Sequence, residues 1–151
     1  MTAYQISIFA ENKPGRLAKV TGLLAKEKIN IRATTISTSG DFGIINLIVD
    51  DPKRAHKILS KEGLTVSTKD VIAVVIDDQP GGLDKLIQVL ADENINIENA
   101  YGFVIESWKN AVFVVEVDLL EKTQEILKKK GFKTLDTESL SAIEPFHYLK
   151  Y

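Results

Sequence analysis

An α+β fold in which one βαββαβ unit is used twice is the architecture this sequence predicts, and three observations predict it. The stretch Lys13-Pro14-Gly15-Arg16-Leu17-Ala18-Lys19 through Ile29-Asn30-Ile31 returns 66 residues later as Gln79-Pro80-Gly81-Gly82-Leu83-Asp84-Lys85 through Ile95-Asn96-Ile97, with ten of nineteen positions identical. Self-similarity at a fixed period marks a supersecondary unit used more than once. Within each copy the apolar spacing switches from the alternation of a strand to the stripe of a helix. Pro-Gly, Ser-Gly-Asp and Asp-Pro punctuation separates those segments.

The elements follow in order. Tyr4, Ile6, Ile8 and Ala10 alternate with Gln5, Ser7 and Phe9, which predicts a strand with one face more buried than the other. Pro14-Gly15 ends it, and Leu17, Val20, Leu23 and Leu24 recur at helical spacing, with Lys19, Lys26 and Glu27 for the wet side. Ile31 to Thr38 and Ile44 to Val49 are β-branched runs joined by Ser39-Gly40-Asp41, a hairpin pattern. Asp51-Pro52 supplies a cap and a proline for the first helical position, Ala55, Ile58 and Leu59 the stripe, and Gly63 the stop. A short strand, Leu64 to Ser67, completes the unit. Val71 to Ile76 starts it again, Leu83, Leu86, Ile87 and Leu90 rebuild the first helix, and Ile97 to Ile105 with Ala111 to Val117 rebuild the hairpin. Leu119 to Lys130, stopped by Gly131, rebuilds the second helix, and the second hairpin turn, around Ser107-Trp108-Lys109-Asn110, is two residues longer. The expected domains are 1–69 and 70–136. Ser67 to Asp70 is too short for a flexible tether, so the two modules are expected to pack as a fixed pair. Residues 137–151 form an extension whose Phe146, Tyr148, Leu149 and Tyr151 carry enough apolar surface to dock on the modules or on a partner subunit.

Composition narrows the chemistry. At 151 residues, 44% apolar and 26% charged, the chain has a globular balance, and it lacks an apolar run long enough to span a bilayer. Met1-Thr2-Ala3-Tyr4 leads directly into the strand pattern without the marks of a secretory signal, and the expected location is the cytoplasm. Zero cysteines exclude disulfides, thiolate metal sites and thiol catalysis. A net charge of −2 with interspersed signs offers no footprint for nucleic acid or for an anionic membrane surface. Gly40-Asp41-Phe42-Gly43-Ile44-Ile45-Asn46-Leu47 superficially resembles the third-strand motif of RNA recognition modules, but it lacks the leading basic residue and two stacking aromatics. His56 lies on a predicted helix and His147 in the tail, with no serine in a nucleophile-elbow context, so no catalytic residue, metal site or cofactor is expected. Lys128-Lys129-Lys130 closes a helix, where cations suit the dipole and water.

Glu11-Asn12-Lys13-Pro14-Gly15-Arg16-Leu17, followed by a helix ending in Lys28-Ile29-Asn30-Ile31, resembles the ACT domain, an amino-acid-sensing regulatory module, and the resemblance covers about residues 4 to 68 and 70 to 136. The resemblance implies ferredoxin-like modules with antiparallel sheets and helices on one face, edge-to-edge pairing of modules, and an effector held between the glycine loop of one module and the second strand of another. It also implies that Asn12 and Asn30 match positions that hold the effector in serine-sensing members. The residues themselves permit this. Gly15 allows a sharp turn into the helix and leaves the first N–H groups for a carboxylate, while carboxamides offer donors and acceptors without net charge. Turn chemistry offers an alternative, because Pro-Gly joins strand to helix in many folds and Asn30 suits a left-handed position after a helix.

The expected ligand-binding set is therefore Asn12, Pro14, Gly15, Arg16, Leu17 and Asn30 in the first copy, with Asp78, Gly81, Gly82, Leu83 and Asn96 in the second. Asp77-Asp78 in place of Glu11-Asn12, and Gly82 in place of Arg16, disfavour an anion, so the Gly15 site is expected to bind more tightly. Thr34, Thr35, Tyr101 and Phe103 on the second strands are candidates for shaping specificity. The functional expectation is a regulatory protein without an attached catalytic domain. It would bind a small amino acid or related carboxylate, form a homodimer and signal to a partner enzyme; the alternative is an interaction scaffold of the same fold without a ligand.

Overall fold

The structure, a computed structural model, describes residues 1–106 and 108–143, the side chain of Glu106 excepted. Phe146, Tyr148, Leu149, Tyr151, His147 and Ser107 lie outside the described residues. The element order is β1 (Ala3–Glu11), α1 (Arg16–Lys26), β2 (Ile31–Ser39), β3 (Phe42–Val49), α2 (Pro52–Lys61), β4 (Thr65–Asp77), α3 (Gly82–Asp92), β5 (Ile97–Glu106), β6 (Asn110–Val117), α4 (Leu120–Lys129), β7 (Thr134–Leu135) and α5 (Thr137–Ser141). Strand and helix alternate as βαββαβ twice, in antiparallel sheets with helices on one face, the ferredoxin-like pattern expected of each copy. The chain divides into two compact units, Tyr4–Lys69 and Met1–Ala3 with Asp70–Tyr151. Among the described residues no helix is long and apolar enough to cross a membrane.

In the unit Tyr4–Lys69, β3 pairs antiparallel with both β1 and β2. Alternation along β1 sends Ile6 and Ile8 to one face, where they meet Val20 and Leu24 of α1, Ala55 and Leu59 of α2, and Ile45, Leu47 and Val49 of β3. Burial of each large aliphatic side chain in such a cluster contributes roughly 1.5–3 kcal/mol. The opposite face is polar at its centre. Gln5 is fully buried, and its Nε2 donates to Asn46 Oδ1 at 3.2 Å and to Ser7 Oγ at 3.1 Å. Ser7 Oγ donates to the same Asn46 oxygen at 2.7 Å, and Asn46 Nδ2 reaches Thr35 Oγ1 at 3.4 Å. Buried polar groups are tolerated when they satisfy one another, and Asn46 is the shared partner here.

The second unit repeats the plan with β4, β6 and β5 in hydrogen-bonded sequence and β7 on the far side of β4. Ile72, Val74, Leu86, Leu90, Ile95, Val115 and Leu127 form its core. The asparagines of the repeated Ile-Asn-Ile motif have the same backbone role in both units. Asn30 N–H donates to Asp50 Oδ1 at 3.0 Å while Asp50 N–H donates to the Asn30 carbonyl at 3.1 Å; Asn96 and Asp118 repeat this at 3.1 and 3.3 Å. Each clasp joins the start of a second strand to the end of a third, next to a register shift between Ile31 and Ala33 or between Ile97 and Asn99.

Three sequence expectations are corrected. The strands expected at Leu64 to Ser67 and Val71 to Ile76 are one strand, β4, so Ser67 to Asp70 lie inside a strand rather than in a linker; the β-branched run Thr65-Val66 through Val71-Ile72 sustains extended backbone through the polar residues between. Asn30 is not left-handed. After α1 that conformation falls on Lys28 (φ 57°), and after α3 on Asn94 (φ 56°), two positions before Asn30 and its counterpart Asn96. Leu17 and Leu83, placed at the head of their apolar stripes, are 36% and 41% exposed, because Val20 with Leu24 and Leu86 with Leu90 fill the inner faces. Asp51 behaves as read, with Oδ1 accepting from Arg54 N–H at 3.2 Å and Pro52 opening the helix.

Asn46→Ala is expected to destabilise the chain by about 1–3 kcal/mol, because the buried Gln5 amide and Ser7 hydroxyl both lose the oxygen they share. Asp51→Ala, which removes one capping bond, is expected to cost about 1 kcal/mol. Urea denaturation of both variants checks the order, which an unchanged midpoint for Asn46→Ala would contradict.

Candidate functional site

The site begins where the first strand of each unit must turn into a helix. Gly15 precedes α1 with φ 88° and ψ −11°, and Gly81 precedes α3 with φ 88° and ψ −10°. An L side chain is strained there, although open space surrounds both glycines, so backbone conformation rather than crowding selects the residue. The Gly15 carbonyl accepts from Lys19 N–H at 2.9 Å and the Gly81 carbonyl from Lys85 N–H at 3.0 Å, starting each helix. Glycine supplies no side-chain cap, so the first helical N–H groups gain no capping bond from it.

The residue after each first strand ties this entrance to the neighbouring hairpin. Asn12 N–H donates to the Asp41 carbonyl at 2.7 Å, and its Nδ2 donates to the Gly40 carbonyl at 3.1 Å. Asp78 keeps the backbone bond but reverses the polarity of the side-chain one. Its N–H donates to the Lys109 carbonyl at 3.0 Å, and its Oδ2 accepts from Trp108 N–H at 2.7 Å. Trp108, at φ 65°, takes the left-handed turn that Gly40 takes at φ 60° in the first hairpin. Asn12 and Asp78 thus hold hairpin turns, a role that sequence spacing does not reveal because the partners lie about thirty residues away.

Pro14, Gly15, Arg16 and Leu17 share the entrance with Asn12, whereas Asn30 lies beyond the far end of α1. Eleven helical residues separate the two ends by about 16 Å, so one unit does not bring Asn12 and Asn30 to one small ligand. Asp78, Gly81, Gly82 and Leu83 are grouped in the same way, with Asn96 remote. Both Asn30 and Asn96 are exposed.

Charge at the first entrance is internally paired. Lys13 Nζ lies 2.7 Å from Glu11 Oε2, and Arg16 Nη2 lies 3.5 Å from Glu11 Oε1. The Lys13 hydrogen bond and charge, aided by Arg16, hold the Glu11 carboxyl below its ordinary pKa. At the second entrance, a Cβ built on Gly82 would lie 2.0 Å from the Asp77 carbonyl oxygen. The loss of Arg16's counterpart is therefore steric: the strand end approaches the helix too closely for any side chain.

Each unit has a cavity beside this entrance. The first, about 350 Å³, is lined by Phe9, Glu11, Arg16, Phe42 and the Gly63–Thr65 turn, with Phe9 and Phe42 stacked at 5.3 Å. The second, about 230 Å³, occupies the matching place between Asp77, Gly82 and the Gly131–Lys133 turn, and adds Lys85 and Lys130. Lys130, a solvated helix end by sequence alone, thus lines a cavity.

On the second strands, Thr35 joins the Asn46 network. Burial, reinforced by Glu116, pushes the Tyr101 hydroxyl pKa above its ordinary value. Two residues before it, Asn99 Nδ2 is buried without a hydrogen-bond partner among the described residues. Asn99 carries no sequence signal of its burial, because Glu98 and Ala100 flank it in a stretch without a clear apolar alternation. His56 on α2 shares a 2.8 Å hydrogen bond with Thr68, a structural use of a lone imidazole.

A glycine-entered βαββαβ unit, present twice in one chain, defines a tandem pair of ferredoxin-like modules. Residues 1–144 match the model of the ACT domain pair, and the chain belongs to that family. The crystal structure of a protein from Bacteroides thetaiotaomicron is similar over 94% of this chain and 97% of its own, with 39% identity and a TM-score of 0.88. The ligand-free regulatory subunit of aspartate kinase from Thermus thermophilus shares the fold at 20% identity and TM-score 0.62, over 83% of this chain and 90% of its own. The corresponding subunit from Thermus flavus does so at 20% identity and TM-score 0.58, over 83% and 88%. No curated protein matches the chain.

Gly82→Ala is expected to destabilise by about 1–3 kcal/mol through its clash with Asp77. Gly22→Ala, exposed within α1 with open space around it, is expected to stabilise by roughly 0.5–1 kcal/mol. Thermal unfolding checks the opposite signs. Because the Glu11 carboxyl is depressed in the folded chain, its stabilising pairing is present above the unfolded pKa and is lost as pH falls through the folded one. Carboxyl NMR titration should place Glu11 below the ordinary range and Lys13→Ala should raise it; an unchanged midpoint would contradict the pairing.

Proposed function

We propose that this chain is a regulatory protein without catalytic activity of its own, built of ACT modules over 1–69 and 70–136 with an extension from 137. It senses a small amino acid or related carboxylate and passes occupancy to a partner enzyme. The observation that carries this reading is the duplicated glycine entrance, where Gly15 and Gly81 take the same left-handed conformation and leave helix N–H groups without a side-chain cap. Such a terminus favours a carboxylate. Pro14, Arg16 and Leu17 surround it in the first copy, and Leu83 repeats the exposed leucine in the second. Since Asn12 and Asn30 stand at opposite ends of α1, a ligand touching both takes them from two copies of the chain, as a homodimer would supply. The unpartnered Asn99 donor, on a second strand, supports a ligand contact on that side of such a junction.

The Gly15 entrance, with Arg16 in place, is the tighter of the two for the amino acid. Membership of the ACT domain pair family and the fold shared with aspartate kinase regulatory subunits support regulation over catalysis. The proposed location is the cytoplasm, with which a chain free of cysteine is compatible. A ligand that binds only one arrangement of modules shifts their equilibrium by its differential affinity, typically ~1–3 kcal/mol.

A thermal-shift screen of the twenty amino acids and common 2-oxo acids tests the reading. One class should raise the midpoint by a few degrees at saturation, and Asn30→Ala, whose clasp with Asp50 uses only backbone atoms of residue 30, should fold normally but lose the shift. Absence of a shift with every compound would replace the sensor with the ligand-free interaction scaffold.

A further inference from the structure

The two cavities occupy equivalent places, so their differences isolate what changed after duplication. In the first, Glu11 and Arg16 face each other and pair at 3.5 Å. In the second, Glu62 of the first copy corresponds to Lys130, Thr65 to Lys133, and Arg16 to Gly82. Three lysines, from α3, the end of α4 and the turn into β7, line this cavity against one carboxylate, Asp77. None of the ion pairs among the described residues engages Lys85, Lys130 or Lys133. The neighbouring Asp78 carboxylate is used by Trp108 N–H on the hairpin side. Three like charges gathered around a small concavity repel one another and gain most from a shared counter-anion.

We propose that this cavity of the second unit is a binding site for a compact phosphate dianion, as inorganic phosphate or the phosphate of a small phosphomonoester. Ammonium groups on flexible stems surround a tetrahedral anion without the planar fork that favours a carboxylate pair on arginine. Gly82 and Gly131 line the same space without side chains, so backbone atoms form part of its wall. The volume, about 230 Å³, suits a phosphate with a small body. Its three lysines lie outside the amino-acid reading, with which it shares only Gly82, so the proposal stands independently of that reading.

The test is titration of the full chain with inorganic phosphate at constant ionic strength, following the Gly82 and Gly131 amide signals by NMR. Saturable shifts at both are expected. The double variant Lys130→Glu/Lys133→Thr, which installs the residues of the first copy, should weaken binding by at least about tenfold. Any amino-acid-dependent thermal shift should survive in that variant, which separates this site from the other. Tighter binding of glycerol 3-phosphate than of phosphate would identify a phosphomonoester site; equal binding, a free-phosphate site. Shifts that sodium chloride reproduces, that fail to saturate, or that persist unchanged in the double variant would overturn the proposal.

Discussion

The backbone reversal at Gly15 and Gly81 is the constraint on which the rest of each unit depends. A strand that ends at Glu11 or Asp77 must reverse into a helix packed on its own sheet within four residues, and a φ near 88° at the last of them achieves this. Once the direction is set, the helix presents Val20 and Leu24, or Leu86 and Leu90, to the sheet. The same loop then lies within hydrogen-bond reach of the hairpin turn, where Asn12 or Asp78 fixes it. Core packing and the geometry of the candidate site thus share one local cause.

The two copies show how a conserved backbone supports different electrostatics. At the first entrance Glu11 draws in Lys13 and Arg16, so charge is neutralised where the helix begins. At the second, the close approach of the Asp77 carbonyl removes the side chain at 82, and the cationic groups come instead from Lys85, Lys130 and Lys133. A similar division affects the helix-free faces. Asn46 organises a buried polar network in one unit, while Val114 stands at its counterpart in the other, fully buried.

Much of the fold was legible in the sequence because its signals are local. Alternation gave β1, Asp51-Pro52 gave the start of α2, and Gly63 and Gly131 stop their helices at φ 82°. Less legible were features decided by distant partners. The continuity of β4 runs through Ser67-Thr68-Lys69-Asp70, a stretch whose composition resembles a loop. The role of Asn30 is set by Asp50 twenty residues away, which leaves the left-handed turn to Lys28. Lys130 lies next to Gly82 only after α4 has packed, so a run of three lysines reads as a solvated helix end until the turn beyond it is placed. Asn12 was legible as a special position, but its bonds to the Gly40-Asp41 turn were not.

The entrance geometry is tested most directly by chirality at position 15. Gly15→Ala and the same position carrying D-alanine by chemical ligation differ only in the hand of Cβ, and open space surrounds the site. The D-alanine chain should retain the stability and ligand response of the parent, whereas Gly15→Ala should lose about 1–2 kcal/mol and weaken the response. Equal stability and response in the two chains would contradict the dependence of both fold and site on a left-handed residue at the helix entrance.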